Sequence, residues 1–415
     1  MDKVNKFLLM VIAMAAIMIT AVGIDRGLEY YNAQKWEKER EVRYDQARAQ
    51  VAEMQLTISE LSGDQEAIEA FIEENRKYFE EAAASESESA LPEEEQMSVS
   101  DNVQMSVSDN TQMSVSDNLQ MSVSDNTQIS TSENRIYDIS GNELSEPADV
   151  QDVSANELVD VSGNTLLEKR KIRGSYMETQ MQNEADRIVI AGSSYDFSNI
   201  SIACLGDSIT QASNLESMED YQQYAYPTRL KEILGAESVT NLGIGGSSIG
   251  RYWNQAYVDR YREIPQDTDL IIVMGGTNDG FCLTQEELGT LEERRAGTFT
   301  GDLDELMQGL KENYPDAIIV FATPLPNILH DVLRKERQDL LPQTTLVNVM
   351  KQLAEEYEIP VIDLYNSNIL DTHDAAVIYN YMPDGVHCNP DGYMVLAEHF
   401  AAELIKLYEK QRVGE

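Results

Sequence analysis

Cysteine is nearly missing from the chain. Cys204, Cys282 and Cys388 are the three in 415 residues. No Cys-x-x-Cys pair occurs, and three thiols make no disulfide scaffold. Cys204 lies within an apolar run and reads as a small core residue. Cys282 and Cys388 each follow a motif discussed below. They read as two ordinary thiols, with a disulfide between them as the alternative if the domain is exported. Positive charge is also scarce, at 31 Lys+Arg against 73 Asp+Glu, a net charge of −42. Such a chain repels phosphate backbones and anionic headgroups, which argues against nucleic acid as a partner. The imbalance is uneven: 27 acidic and 3 basic residues fall between Val51 and Glu168. Phosphate-binding loops are absent too. There is no Gly-Lys-Ser/Thr, and Gly243, Gly245 and Gly246 do not fall in the Gly-x-Gly-x-x-Gly register.

One long apolar run exists, "FLLMVIAMAAIMITAVGI" from Phe7 to Ile24, 18 residues without charge. That length is at the lower end of what spans a bilayer. Lys3 and Lys6 precede it, while Arg26, Lys35, Lys38, Arg40 and Arg43 follow, so the positive-inside count is divided. Large residues follow the run, and no clean small-residue cleavage site is evident. The expectation is an uncleaved signal anchor over 1–26, single-pass in the cell membrane, with the rest of the chain extracytoplasmic. A cleaved signal peptide and a secreted product form the alternative.

Residues 27–83 are rich in Glu, Gln, Ala, Lys and Arg. Val51, Met54, Ile58 and Leu61 fall at 3-4-3 spacing, and Ile68, Ile72 and Phe79 continue the frame. The pattern predicts a helical stalk with a narrow apolar seam, broken at Ser62-Gly63-Asp64, with Asp64 capping the second piece. Gln65 and Asn75 occupy seam positions. A short dimeric coiled coil and a single amphipathic helix are both compatible with this.

A repeat tract follows over 84–187. "QMSVSDN" begins at Gln96, Gln104, Gln112 and Gln120, and "QISTSEN" at Gln128. "DISGNEL", "DVSANEL" and "DVSGNTL" begin at Asp138, Asp152 and Asp160. Calcium-binding β-roll repeats are glycine-rich nonapeptides, and the first of these families has no glycine. Ser, Asp, Asn and Gln dominate and no stretch can bury a core, so the tract is expected to be a disordered spacer.

From 188 to 415 the character changes. Apolar runs at 200–206, 238–244, 269–276, 317–324 and 360–365 read as strands. Helical patterns lie near 221–234, 251–263, 301–313, 343–358 and 390–410. Strands alternating with helices predict an α/β domain with a mostly parallel sheet. Sites in such sheets form outside the C-terminal strand ends.

The chemistry-bearing residues gather at those ends. Gly206-Asp207-Ser208 closes the first strand, "NLGIGGSS" (241–248) the second and "GGTNDG" (275–280) the third. "PDGVHCNPDG" precedes the last helix. A serine hydroxyl attacks a carbonyl well when a base takes its proton, and histidine suits that task. Of the four histidines, His387 sits in a tight loop with Asp384 three residues before it, close enough to fix its tautomer. His330 and His373 read as loop residues, with a place lining the substrate site as the alternative for His330, and His399 as a packing or surface residue of the last helix. Glycine N–H groups and the Asn278 amide supply donors for an oxyanion. Each block alone has a simpler reading as a turn. A metal site built from Asp207, Asp279, Asp384 and His387 is conceivable, but no pair has a recognised ligand spacing.

Together, the four blocks resemble the SGNH, or GDSL, hydrolase superfamily over about 200–410. The resemblance implies a flavodoxin-like three-layer sandwich with a five-stranded parallel sheet, and ester hydrolysis without metal or cofactor. It makes Ser208 the nucleophile and Asp384 and His387 the acid and base. Ser208 N–H, Gly246 N–H and the Asn278 amide become the oxyanion donors, with Gly243 as a fallback for Gly246. Asp207 is left as a turn and helix-start residue. Such enzymes cut lipids, thioesters and acylated sugars. A membrane-tethered domain on an acidic spacer suits a cell-wall or extracellular polymer, so an O-acetyl carbohydrate esterase is expected. Tyr252, Trp253 and Tyr257 are candidates for sugar stacking or for core packing. A lipase-type acylhydrolase, disfavoured by the lack of an apolar lid segment, and a non-catalytic sugar-binding surface protein are the alternatives.

Overall fold

The computed structural model describes residues 38–75 and 172–414 except 39, 252 and 254, together with short strand pairs within 129–166. The apolar run at 7–24 and most of the repeat tract lie outside the described residues. Among the described residues, no helix is long and apolar enough to cross a membrane. The chain divides into two units, Phe79–Arg170 and the remainder. In the first, two-residue strands pair in antiparallel fashion, Ile129–Ser130 with Ile136–Tyr137 and Ile136–Tyr137 with Glu143–Leu144, and separately Leu158–Val159 with Thr165–Leu166. The latter two ladders use the ends of the "DISGNEL" and related repeats.

The larger unit is built on five parallel strands: β1 (Ser201–Gly206), β2 (Ser238–Gly243), β3 (Leu270–Met274), β4 (Ile318–Ala322) and β5 (Val361–Ile362). Their order is β5-β4-β3-β1-β2. β1 is hydrogen-bonded to both β2 and β3. The chain therefore leaves β1 for one side and returns to the other, which opens a crevice at the C-terminal end of β1.

The period-2 alternation of the strands separates two cores. Ile202, Cys204, Ile272, Met274, Val320 and Ala322 belong to one. It is closed by α5 (Tyr226–Leu234) and α9 (Pro390–Gly414), where Tyr226 stacks on Phe400 with centroids 4.8 Å apart. Ala203, Leu205, Ile271, Val273, Ile319 and Phe321 belong to the other, under α6 (Phe299–Asn313) and α8 (Gln343–Glu356). The predicted sandwich forms, with β2 as a half-exposed edge and β5 only two residues long.

Three elements differ from the sequence-based expectation. The pattern over 251–263 is not a continuous helix. Among its described residues only Tyr257–Arg260 and a 3-10 turn to Glu263 form, and Arg251 is drawn instead to Asp302, Asp259 and Glu305 at 2.7 Å each. His330 lies within a helix, α7 (Ile328–Glu336), capped by Asn327. A 17-residue helix, α3 (Tyr176–Gly192), crosses the expected boundary at 187/188 and packs on α9. Asp186 Oδ2 meets His399 Nδ1 at 2.8 Å, and Asn183 donates to Glu398.

The stalk helices form, α1 over 40–61 and α2 over 65–75, and Asp64 accepts the N–H groups of Glu66 and Ala67. Tyr44, Ala47, Val51, Ile58, Ile68 and Ile72 are buried within this one chain. A seam already covered within its own chain offers little to a dimer partner, so the coiled-coil expectation finds no support.

Candidate active site

Serine 208 begins α4 (Ser208–Gln211), directly after β1. The turn needs Gly206, because a Cβ there would overlap the Thr210 side chain. Asp207 is the N-cap, accepting the Ile209 N–H at 2.9 Å. It is the turn residue expected of it, and burial pushes its carboxyl up to about 6.

His387 Nε2 lies 2.7 Å from Ser208 Oγ, and His387 Nδ1 lies 2.6 Å from Asp384 Oδ2. The other carboxylate oxygen, Asp384 Oδ1, accepts the N–H groups of Val386 at 3.0 Å and His387 at 2.7 Å. Gly385 turns between them at φ +77. One oxygen thus folds the loop and the other orients the ring. Burial works against a charge on His387. The charge and hydrogen bond of Asp384, with a smaller contribution from Asp207, outweigh it and raise the imidazole above 6.5. Burial pushes Asp384 up, but His387 and the two backbone donors outweigh it and hold the carboxyl below 3.8.

The glycine block distinguishes its own members. Gly243 N–H donates to Asn241 Oδ1 at 2.9 Å, and Gly245 N–H to Gln211 Oε1 at 2.6 Å. Gly246, at φ +72, makes no backbone N–H bond among the described residues. The Ser208 N–H, in the first turn of a helix, has no intrahelical acceptor. Asn278 stands in the turn after β3, and its Nδ2 donates to Ser247 O at 2.8 Å. An amide has a second N–H to offer. Ser208, His387, Asp384, Gly246 and Asn278 therefore meet at one sheet edge.

Three residues have supporting roles that the sequence does not show. Arg260 donates to Gly206 O and Leu242 O at 2.6 Å each and to Ser247 Oγ at 3.1 Å, tying β1, β2 and the glycine block together. Asp279, fully buried, accepts the N–H groups of Ile249 and Gly250. Gln211 holds Gly245 from α4. The neighbouring motif residues were visible, but the roles of these three depend on long-range contacts.

The other histidines lie outside this constellation. His373 lies between Asp371 (2.6 Å) and Asp331 (2.8 Å), buried rather than in an open loop. His330 is buried, with neither ring nitrogen hydrogen-bonded, and its Nδ1 lies 3.7 Å from Asp331 Oδ1. Cys204, Cys282 and Cys388 are all free thiols and buried. Asp207, Asp279, Asp384 and His387 form no metal-ligand cluster among the described residues. Asp186, His399 and Glu403 do converge, their ligand atoms within 4.8 Å of one another.

Residues 204–395 match the model of the GDSL-like lipase/acylhydrolase family. No curated protein matches the chain. Among solved structures, a Lactobacillus plantarum protein is 29% identical, covering 50% of this chain and 97% of its own, with a TM-score of 0.43. A possible lipase from Chitinophaga pinensis is 21% identical over 50% of this chain and 99% of its own, TM-score 0.39. An acetylxylan esterase from Geobacillus stearothermophilus is 23% identical over 50% and 94%, TM-score 0.35.

Proposed function

Since the chain belongs, through residues 204–395, to the GDSL-like lipase/acylhydrolase family and is a carboxylic ester hydrolase of that family, we propose that it removes acyl groups, chiefly O-acetyl, from a carbohydrate or cell-wall polymer through Ser208, His387 and Asp384. The observation that carries this reading is the unbroken line Ser208 Oγ–His387–Asp384, at 2.7 and 2.6 Å. Neutral His387 takes the Ser208 proton as Oγ attacks the ester carbonyl. Asp384 holds the tautomer and stabilises the imidazolium that forms. The N–H groups of Ser208 and Gly246 and the Asn278 amide receive the oxyanion. His387 then protonates the departing alcohol, and a water activated by the same histidine releases the acid.

The carbohydrate substrate is supported by the organisation of the chain. An N-terminal anchor that keeps the catalytic unit extracytoplasmic at the membrane suits a polymer at the cell surface. Full-length protein is assayed on p-nitrophenyl acetate, on longer acyl esters and on acetylated polysaccharides, beside Ser208→Ala. Acetate release that disappears in Ser208→Ala is expected. Preference for long acyl chains favours a lipase. Sugar binding without turnover returns the chain to a non-catalytic role.

A further inference from the structure

Helix α1 does not stand clear of the hydrolase. Near its start, Tyr44 Oη donates to Glu287 Oε1 at 3.2 Å, and Arg43 reaches the same carboxylate at 3.2 Å. The Tyr44 ring lies 6.1 Å from Trp253, and the Arg48 guanidinium lies 5.1 Å from that ring. Trp253 follows the glycine block, and Glu287 follows the turn that carries Asn278. Midway along, Gln50 donates to Glu336 at the end of α7. Near the far end stands Ile58, 1% exposed. A Cβ placed on Gly385 would lie 3.1 Å from Ile58 Cδ1 and 2.7 Å from Leu329 Cδ1.

From Tyr44 to Ile58 a helix rises about 21 Å. Over that length α1 runs from the flank holding the oxyanion donors to the flank holding the acid and base. Gly385 is the left-handed hinge between Asp384 and His387. Packing a rigid helix over that hinge removes the freedom the Asp384–His387 loop would otherwise have. We infer that α1 is a fixed strap of the catalytic unit and that Ile58 is a positioning residue, pressing the Asp384–His387 loop into line with Ser208. The inference rests on the serine-esterase reading above. It assigns a segment that resembles a mere stalk to the geometry of the site.

The test uses the full-length chain and the series Ile58→Leu, Ile58→Val and Ile58→Ala, with Ser208-dependent hydrolysis of p-nitrophenyl acetate as the readout. Misplacement of catalytic groups acts on kcat, so kcat is expected to fall progressively, by roughly tenfold in Ile58→Ala, with KM little changed. The acids facing His387 are Asp384 and Asp207. A loosened Asp384 contact lets the acid limb of kcat/KM move to lower pH, an effect that simple destabilisation does not produce. Ile58→Leu, equal in volume, restores both. Folded Ile58→Ala and Ile58→Val proteins with wild-type kcat and an unmoved acid limb would overturn the inference, even if their melting temperatures fell. Should Ile58→Ala fail to fold, Ile58→Val carries the comparison at smaller amplitude, with Ile58→Leu as its reference. Absence of Ser208-dependent turnover in the unsubstituted protein sinks the esterase reading instead, and the two failures are thereby distinct.

Discussion

Two neighbouring residues, Asp207 and Ser208, have different duties although either could be taken for the chemical one. Asp207 faces inward and caps α4; Ser208 faces His387. The folded carboxyl of Asp207 titrates near 6 rather than 3.8 because it is buried. Between those values the folded state holds a proton the unfolded chain has lost, so stability falls as pH rises through that window and is level above it. Asp207→Asn keeps an oxygen for the Ile209 N–H and removes the buried charge. Urea unfolding at pH 4 and pH 7.5 is expected to show the variant gaining on the wild type by roughly 2–3 kcal/mol across the interval. No change in the difference between the two pH values would refute the burial argument.

The same scale governs turnover. His387 must be neutral to accept the serine proton, and its pKa is raised, so kcat/KM is expected to lose its acid limb above 6.5. Asp384→Asn should move that limb downward and cut kcat on the order of 10⁴-fold, as loss of the orienting acid does elsewhere. Asn278→Ala removes one oxyanion donor and should cost on the order of 10²–10³ in kcat at nearly constant KM. Steady-state kinetics across pH 5–9 checks all three. These residues were legible in the sequence because each has a chemistry-bearing side chain at the end of a recognisable apolar run. Arg260 was not, since nothing local says that its guanidinium bridges the ends of two strands.

At the scale of elements, strands read well because their apolar runs are continuous and buried on both faces. The edges read less well: β2 is half exposed and β5 has two residues. The helix expected over 251–263 had the right composition and the wrong context. Gln255 sits at φ +44 and Asp279 pins Ile249 and Gly250, which fixes a loop where local pattern favoured a helix. The join between β2 and α4 is tight. A Cβ on Gly243 would overlap the backbone nitrogen of Gln211, an atom with no rotamer to escape by. Gly243→Ala is therefore expected to destabilise by at least the roughly 1–3 kcal/mol typical of overpacking, and to disturb the Gln211–Gly245 bond with it. A thermal midpoint equal to the wild type's would show that the strand end shifts freely.

At the scale of the molecule, the unit that folds around the site is larger than its apolar runs announce. The seam of α1 was visible as 3-4 spacing, but spacing alone does not say whether a partner chain or the chain's own domain covers it. Helix α3 was hidden for another reason: its polarity is inverted. Thr179, Asn183 and Asp186 are buried, while Met177, Met181 and Ile188 are more than 60% exposed. A pattern search for buried apolar faces passes over such a helix, yet its contacts are specific. Thr179 Oγ1 accepts the Leu370 N–H at 2.9 Å, Gly174 O accepts the Asp371 N–H at 2.9 Å, and Asp374 accepts the Tyr176 N–H at 2.7 Å. Without α3 and its leading turn, the Leu370 and Asp371 N–H groups, the Asp374 carboxylate and the buried His399 lose these partners, and each buried polar group left unpaired costs about 1–3 kcal/mol. In a domain of this size each kcal/mol moves the thermal midpoint by roughly 2–4 °C. A chain beginning at 194 is therefore expected to melt on the order of 10 °C below one beginning at 172, if it folds at all. Coincident midpoints would mean that α3 is an appendage and that the domain does begin where its apolar runs do.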